Sequence, residues 1–274
     1  MVRSIKSLKG LTLQAKDGIV GEVDEVFFDD EKWAIRYLIV KTGNWLLGRS
    51  VLISPYSVET ILWTQGSIIV SLTRKQVEES PDIDSDQPVS RQMEQQYFAY
   101  YRWPYYWTGV GTWGDNTYPP MMSGGYGAGL RPTALTAGQK NQEPKDSEMP
   151  EGDVHLRSSK EVMGYKIEAT DAEFGHIEDL FFEEGSWKIR YLVIDTKSFW
   201  PSKSIILPPD WVDSVSWSNR KFRIKLPGRV IKQAPEYDPT YPIDRDFEKR
   251  LYGYYRIPGY WELEGASTKQ QIFK

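Results

Sequence analysis

The sequence predicts a mainly β protein: two tandem small antiparallel β-barrels, each followed by a short, helical, aromatic-rich tail, joined by a Gly/Pro-rich linker. Three observations predict it. Residues 8–107 align with 162–261 at a constant offset of 154 without a gap. Within each copy, short apolar, β-branched-rich runs are broken by turn residues. Each copy then ends in a dense run of Tyr and Trp.

The repeat is anchored by Phe27-Phe28, Trp33, Ile35, Arg36, Tyr37 and Leu38, which recur as Phe181-Phe182, Trp187, Ile189, Arg190, Tyr191 and Leu192. Gly10 and Gly21 recur as Gly164 and Gly175, and Thr42, Ser50, Pro55, Val58, Trp63 and Leu72 all recur in kind. About a quarter of the unit is identical. The match includes the tail, where Tyr100-Tyr101-Arg102, Pro104 and Tyr106-Trp107 answer to Tyr254-Tyr255-Arg256, Pro258 and Tyr260-Trp261.

Strands are expected near 10–15, 19–28, 33–42, 49–53, 58–64 and 67–73 of the first copy. RYLIV at 36–40 is almost continuously apolar, as in a strand covered on both faces, while Phe222, Ile224 and Leu226 alternate with Arg223 and Lys225 at the period of a half-buried one. FFDDEKW and FFEEGSW place acidic residues between two such runs and read as hairpins. Six short strands in that space suggest closure into a barrel. After Pro88, VSRQMEQQYFAYY lacks Gly and Pro and reads as a helix ending before Pro104; Gly253 interrupts its counterpart. The chain is thus expected to divide into a barrel with its tail at 1–109, a linker at 110–153, a second barrel with its tail at 154–264, and a terminal stretch at 265–274. The linker, which includes GGYGAGLRP and NQEPKDSEMPEGD, reads as flexible.

Composition narrows the chemistry. With no cysteine there is no disulfide, no thiolate ligand and no thiol nucleophile. The two histidines, His155 and His176, do not recur between copies, so no metal site is expected. No nucleophile elbow, phosphate loop or dinucleotide fingerprint is present. Hence no catalytic residues and no cofactor are assigned, and the protein is read as not an enzyme. The net charge of −4, with both signs interspersed, argues against DNA and disfavours RNA. The opening residues lack a signal-peptide core and no apolar run is long enough to span a bilayer, so a soluble, cytoplasmic protein without membrane insertion is expected.

Two side-chain groups invite a decision between structure and function. Arg36 and Arg190 lie inside apolar strands; each is read as paired with a hairpin acid such as Asp24 or Glu178 rather than facing a ligand. The acids Asp29-Asp30-Glu31 and Glu183-Glu184 are read as solvated turns rather than cation ligands. Large apolar residues in connecting loops must be covered, and Trp45, Leu46 and Leu47, with Phe199 and Trp200 at the same place in the second copy, are candidates for a docking surface. Tyr101, Trp107, Tyr255 and Trp261 in the tails join them. The cover is either the chain's own tails and barrels or an outside partner, and these alternatives stay open on sequence alone.

A Gly-containing first strand, the pattern Gly21-Glu22-Val23-Asp24, the acidic hairpin, the W-x-I-R-Y-L strand and the segment Val51–Pro55 together resemble the PRC-barrel family, over both copies. That family includes the cytoplasmic domain of the photosynthetic reaction centre H subunit and the C-terminal domain of a ribosome maturation factor. Because the aromatic loop and tail recur while no catalytic set does, the chain reads as a noncatalytic protein-interaction or assembly module; the resemblance to the H subunit implies association with a photosynthetic or other electron-transfer complex, and the maturation-factor relative implies the alternative, an RNA-binding or ribosome-maturation accessory. A protein partner is expected. So is either a pseudo-dimer of the two barrels or a homo-oligomer.

Overall fold

The computed structural model describes residues 1–46, 48–81, 89–119, 156–196 and 204–262. Two compact units emerge. The N-terminal unit holds Ile5–Lys160 and Phe182–Ile189; the C-terminal unit holds Met1–Ser4, Glu161–Phe181 and Arg190–Lys274. Each unit therefore draws on both halves of the sequence.

The strands of the first half are β1 (Val2–Ser4), β2 (Thr12–Ala15), β3 (Gly18–Asp29), β4 (Ala34–Thr42), β5 (Ser50–Ile53), β6 (Val58–Leu62) and β7 (Ser67–Val70), followed by helices α1 (Arg74–Glu78) and α2 (Arg91–Tyr101). The second half runs β8 (Leu156–Ser158), α3 (Ser159–Val162), β9 (Lys166–Glu168), β10 (Glu173–Glu183), β11 (Ile189–Asp195), β12 (Ser204–Leu207), β13 (Val212–Ser216), β14 (Lys221–Ile224), α4 (Gly228–Gln233) and α5 (Arg245–Tyr255). They form two seven-stranded sheets, ordered β5-β4-β3-β2-β7-β6 with β8 on β3, and β12-β11-β10-β9-β14-β13 with β1 on β10.

Neither sheet closes, which corrects the expected barrels. At the bend after β5, Pro55 has no N–H to lend to a ladder, and residues Pro55–Ser57 turn as a 3₁₀ helix in which the Ser57 N–H and hydroxyl both donate to the Ser54 carbonyl. Among the described residues the strand beyond, β6, pairs only with β7. Nor is pairing wholly antiparallel: β2 runs parallel to β7, and β9 parallel to β14.

Length explains where β8 goes. β3 has 12 residues, and β2 covers only its first part, pairing Gly18 to Glu22. Farther along the strand, β8 takes the Phe27–Asp29 stretch in antiparallel register, with Phe27 opposite Ser158 and Asp29 opposite Leu156. Between the two, the Val26 N–H donates to the Ser159 hydroxyl at 3.3 Å. A long central strand left half-covered would present unpaired backbone groups, and the three residues of β8 satisfy them.

The core is the apolar face of these strands. Ile35, Tyr37, Leu38 and Val40 of β4 are fully buried, as are Tyr191, Leu192 and Ile194 of β11. The helix over each sheet is fixed at its start by a side-chain cap. The Ser90 hydroxyl accepts from the Met93 N–H in α2, and the Asp244 carboxylate accepts from the Phe247 N–H in α5. Arg102 and Arg256 close the helices in the left-handed conformation more often given to glycine. Gly253 sits inside α5 without ending it, so the counterpart helix forms in full.

Gly21 shows why its sequence pattern needs glycine. A Cβ there would lie 2.0 Å from the Lys41 carbonyl oxygen of the paired strand. At exposed Gly253 a Cβ would meet nothing within 4 Å. Gly21→Ala should therefore destabilise the chain by about 2 kcal/mol or more, as the strands are forced apart. Gly253→Ala should stabilise it by about 0.5–1 kcal/mol through helix propensity. Urea melts of the two variants check both signs.

Candidate functional site

Each helix after the sheet carries one buried carboxylate, and the aromatic tail folds over it. In α2 the buried side chains Glu94, Tyr97 and Phe98 recur at helical spacing on one face. Glu94 Oε1 accepts from the Tyr37 hydroxyl of β4 at 2.9 Å and from the Tyr106 hydroxyl of the tail at 2.7 Å. Its other oxygen pairs with Arg91 at 3.0 Å. Strand, helix and tail thus meet at one charge.

The C-terminal unit repeats the arrangement 154 residues on. Glu248 of α5 accepts from Tyr191 at 2.7 Å and from Tyr260 at 3.0 Å, and pairs with Arg245 at 2.9 Å.

Arg36 lies under the same tail. Its guanidinium is fully buried and pairs with Asp29 at 2.9 Å, while Nη1 donates to the Thr112 carbonyl at 2.7 Å. The Tyr106 ring covers it at 3.8 Å and the Trp113 ring at 4.7 Å. Asp29, the first acid of the hairpin, also accepts from the backbone N–H groups of Glu31 and Lys32, which shapes the turn. Removing one member of such a buried pair costs about 3–5 kcal/mol, because the other charge is left uncompensated. In the C-terminal unit Arg190 sits 3.7 Å from the centre of the Tyr260 ring.

This places the expected residues as follows. Arg36 is structural, but its partner is Asp29 and not Asp24, which instead binds Lys41 at 3.0 Å and Lys160 at 2.7 Å. The hairpin acids are not simply solvated: Asp29 is buried, and Asp30 pairs with Arg157 at 2.9 Å. Trp45 is half-buried; its indole N–H donates to the Val20 carbonyl at 2.7 Å and Arg74 lies over the ring at 4.2 Å. Leu46 is half-buried beside it in sequence. Leu47, Phe199 and Trp200 lie outside the described residues.

Among the tail candidates, Tyr101 is half-buried and stacks on Trp103 at 4.5 Å. Trp107 stacks on Tyr105 at 4.6 Å with Arg91 over it at 4.3 Å. Tyr255 is buried, with Trp211 at 6.1 Å. Trp261 is half-buried beneath Arg245 at 4.2 Å. Glu94, Glu248 and Trp113 were missed by sequence reasoning. The signal for the first two was available, since a Glu recurring at the repeat offset inside an aromatic helix is out of place on a solvated face.

The remaining polar chemistry is dispersed. A shallow cleft of about 680 Å³ in the C-terminal unit is lined by Glu168, Asp171, Glu173, Asp213, Arg223 and Lys225. Glu168 pairs across it with Arg223 at 2.8 Å, and Asp171 accepts from the Gly228 N–H at 2.7 Å. Lys221, next to the cleft, holds the Glu173 carboxyl below its ordinary range. Among the described residues no group of three His, Asp or Glu is placed to hold a metal ion. No helix among them is long and apolar enough to cross a membrane.

The family model of the PRC-barrel domain matches residues 1–77 of the chain. The match runs from β1 into α1. No curated protein matches the chain.

Burial pushes the Tyr37, Tyr97 and Tyr106 phenols well above their usual range, with neighbouring Glu94 adding to the shift at Tyr37 and Tyr106, and pushes Tyr56 up to about 12. Tyr191 is raised by burial as well. In the unfolded chain all of these titrate near 10. The folded pKa lies above the unfolded one, so the stability they confer is complete below pH ~10 and is lost as pH rises beyond it. Alkaline titration followed by tyrosinate absorbance should show exposed phenols ionising first and these buried phenols only in a later, cooperative step that coincides with loss of circular dichroism. A single phase near pH 10 with the fold intact would contradict this burial.

Proposed function

We propose that the protein is a noncatalytic docking or assembly module that meets a protein partner through the outer rings of its aromatic tails and the Trp45 loop. PRC-barrel domains are in general non-enzymatic modules, which supports the first half of this reading. The observation that carries the second half is a division among the rings. Tyr97 and Tyr106 are buried, the first donating its hydroxyl to the Leu52 carbonyl and the second to Glu94, whereas Tyr101, Trp103, Tyr105 and Trp107 are half-buried and stacked in pairs. Tyr100, beside Tyr101, is exposed, and its hydroxyl is held by the Gln76 carbonyl at 2.9 Å. Rings fixed by stacking lose little conformational entropy on binding, and Tyr and Trp dominate the energetic centres of interfaces.

Among the described residues the buried Tyr37, Tyr106 and Tyr191 bond to Glu94 and Glu248, which favours binding over catalysis. The resemblance to the reaction-centre subunit supplies the narrower part of the proposal, a photosynthetic or other electron-transfer complex as the partner.

A Trp45→Ala, Tyr101→Ala double variant tests the surface. Crosslinked affinity purification of the tagged protein from its own cells should recover a stoichiometric partner that falls at least about ten-fold with the variant, the loss expected when interface hot spots worth about 1.4 kcal/mol or more are removed. The melting transition of the variant must stay cooperative. Unchanged recovery would exclude these rings from the interface.

A further inference from the structure

Two short strands carry the same short sequence to the same kind of place. Val2-Arg3-Ser4 and Leu156-Arg157-Ser158 stand 154 residues apart and differ only in Val for Leu. Each pairs with the long strand of a unit, β1 on β10 and β8 on β3. The receiving strands match in turn, Phe181-Phe182-Glu183 against Phe27-Phe28-Asp29. A recurring side-chain contact fixes the docking: the Ser4 hydroxyl donates to Asp179 at 2.5 Å, and the Ser158 hydroxyl donates to Glu25 at 2.8 Å, with Asp179 and Glu25 again 154 apart. In the N-terminal unit, Arg157 on Asp30 and Lys160 on Asp24 add charge pairing along the same edge.

From this we infer that the docking edge of β3 and β10 accepts the corresponding strand of a second copy of the chain, so that the protein forms strand-exchanged dimers. Val2–Ser4 of one copy then lies on β10 of the other, and Leu156–Ser158 returns the exchange on β3. Every hydrogen bond of the closed chain is remade in the exchanged one, so the two forms differ in connectivity rather than in contacts. The donors are also short: each has three residues, and the ion pair that Arg157 of the second makes with Asp30 is partly exposed. Such elements open at a small fraction of the global unfolding free energy, and the edge they uncover is a template for another strand. Which donor fills it is decided by concentration, because a tethered donor competes at an effective concentration on the order of 1 mM. This inference is separate from the docking reading above: it uses the sheet edges, and a chain that never exchanged could still dock through its rings.

The chain has no cysteine, which gives a direct test. Full-length chains carrying Ser4→Cys alone and Asp179→Cys alone, with different tags, are co-refolded from urea at roughly 1 μM and at roughly 0.5 mM, oxidised and separated without reductant, the first concentration lying far below the tethered value and the second approaching it. The doubly substituted chain, Ser4→Cys with Asp179→Cys, reports the closed form through an intrachain disulfide. Exposed Ser218→Cys paired with Ser4→Cys sets the level of chance crosslinking. The expected result is an intrachain disulfide at low concentration and, at high concentration only, a mixed-tag dimer well above the Ser218 control. A mixed-tag yield no higher than that control, with the intrachain bond formed, would overturn the exchange. Failure of the intrachain bond at low concentration would overturn it as well, by removing the β1–β10 pairing on which it rests.

Discussion

One carboxylate in each unit holds sheet, helix and tail together. Glu94 and Glu248 are buried, and each is bound by a strand tyrosine, a tail tyrosine and an arginine one turn earlier on its own helix. An unpaired carboxylate in such surroundings would be expensive, so the three donors are required together. Their positions then dictate the rest. The helix must run with this face inward, and the tail must return across the sheet to bring Tyr106 over the buried Arg36 of β4, or Tyr260 over Arg190 of β11. The aromatic richness of the chain is in large part the packing material of this arrangement.

The same constraint separates inner from outer rings. A tyrosine whose hydroxyl is engaged by a buried acid is committed to the interior, while the stacked pairs around Trp103 and Trp107 keep one side toward solvent. The docking role we propose therefore falls on the outer set, beneath which the inner set is packed.

Much of the fold was legible in the sequence, because strand signals are local. The expected strand at 19–28 is Gly18–Asp29, and that at 33–42 is Ala34–Thr42. What was not legible depends on distance or irregularity. The three-residue strands β1 and β8 are too short to show a period, and their partners lie more than a hundred residues away. Closure was inferred from strand number, which says nothing of the turn at Pro55 that ends the pairing. Arg36 was read as paired with a hairpin acid such as Asp24. The β3–β4 ladder shifts register between Val23 and Glu25 and again between Phe27 and Phe28, and Asp29 is the acid that reaches it. For the candidate surface, the tail rings were visible as too many to leave in water, but which of them face inward is set by Glu94, a residue that hydrophobic patterning passes over.

The most direct test of the central claim is a double-mutant cycle on Tyr37→Phe and Glu94→Gln, read by equilibrium denaturation in urea. If the carboxylate binds strand to helix, the two changes should couple by about 1–3 kcal/mol, the range for a buried hydrogen bond to a charged group. Additivity within about 0.5 kcal/mol would contradict it, and would mean that the apolar rings alone hold the tail to the sheet.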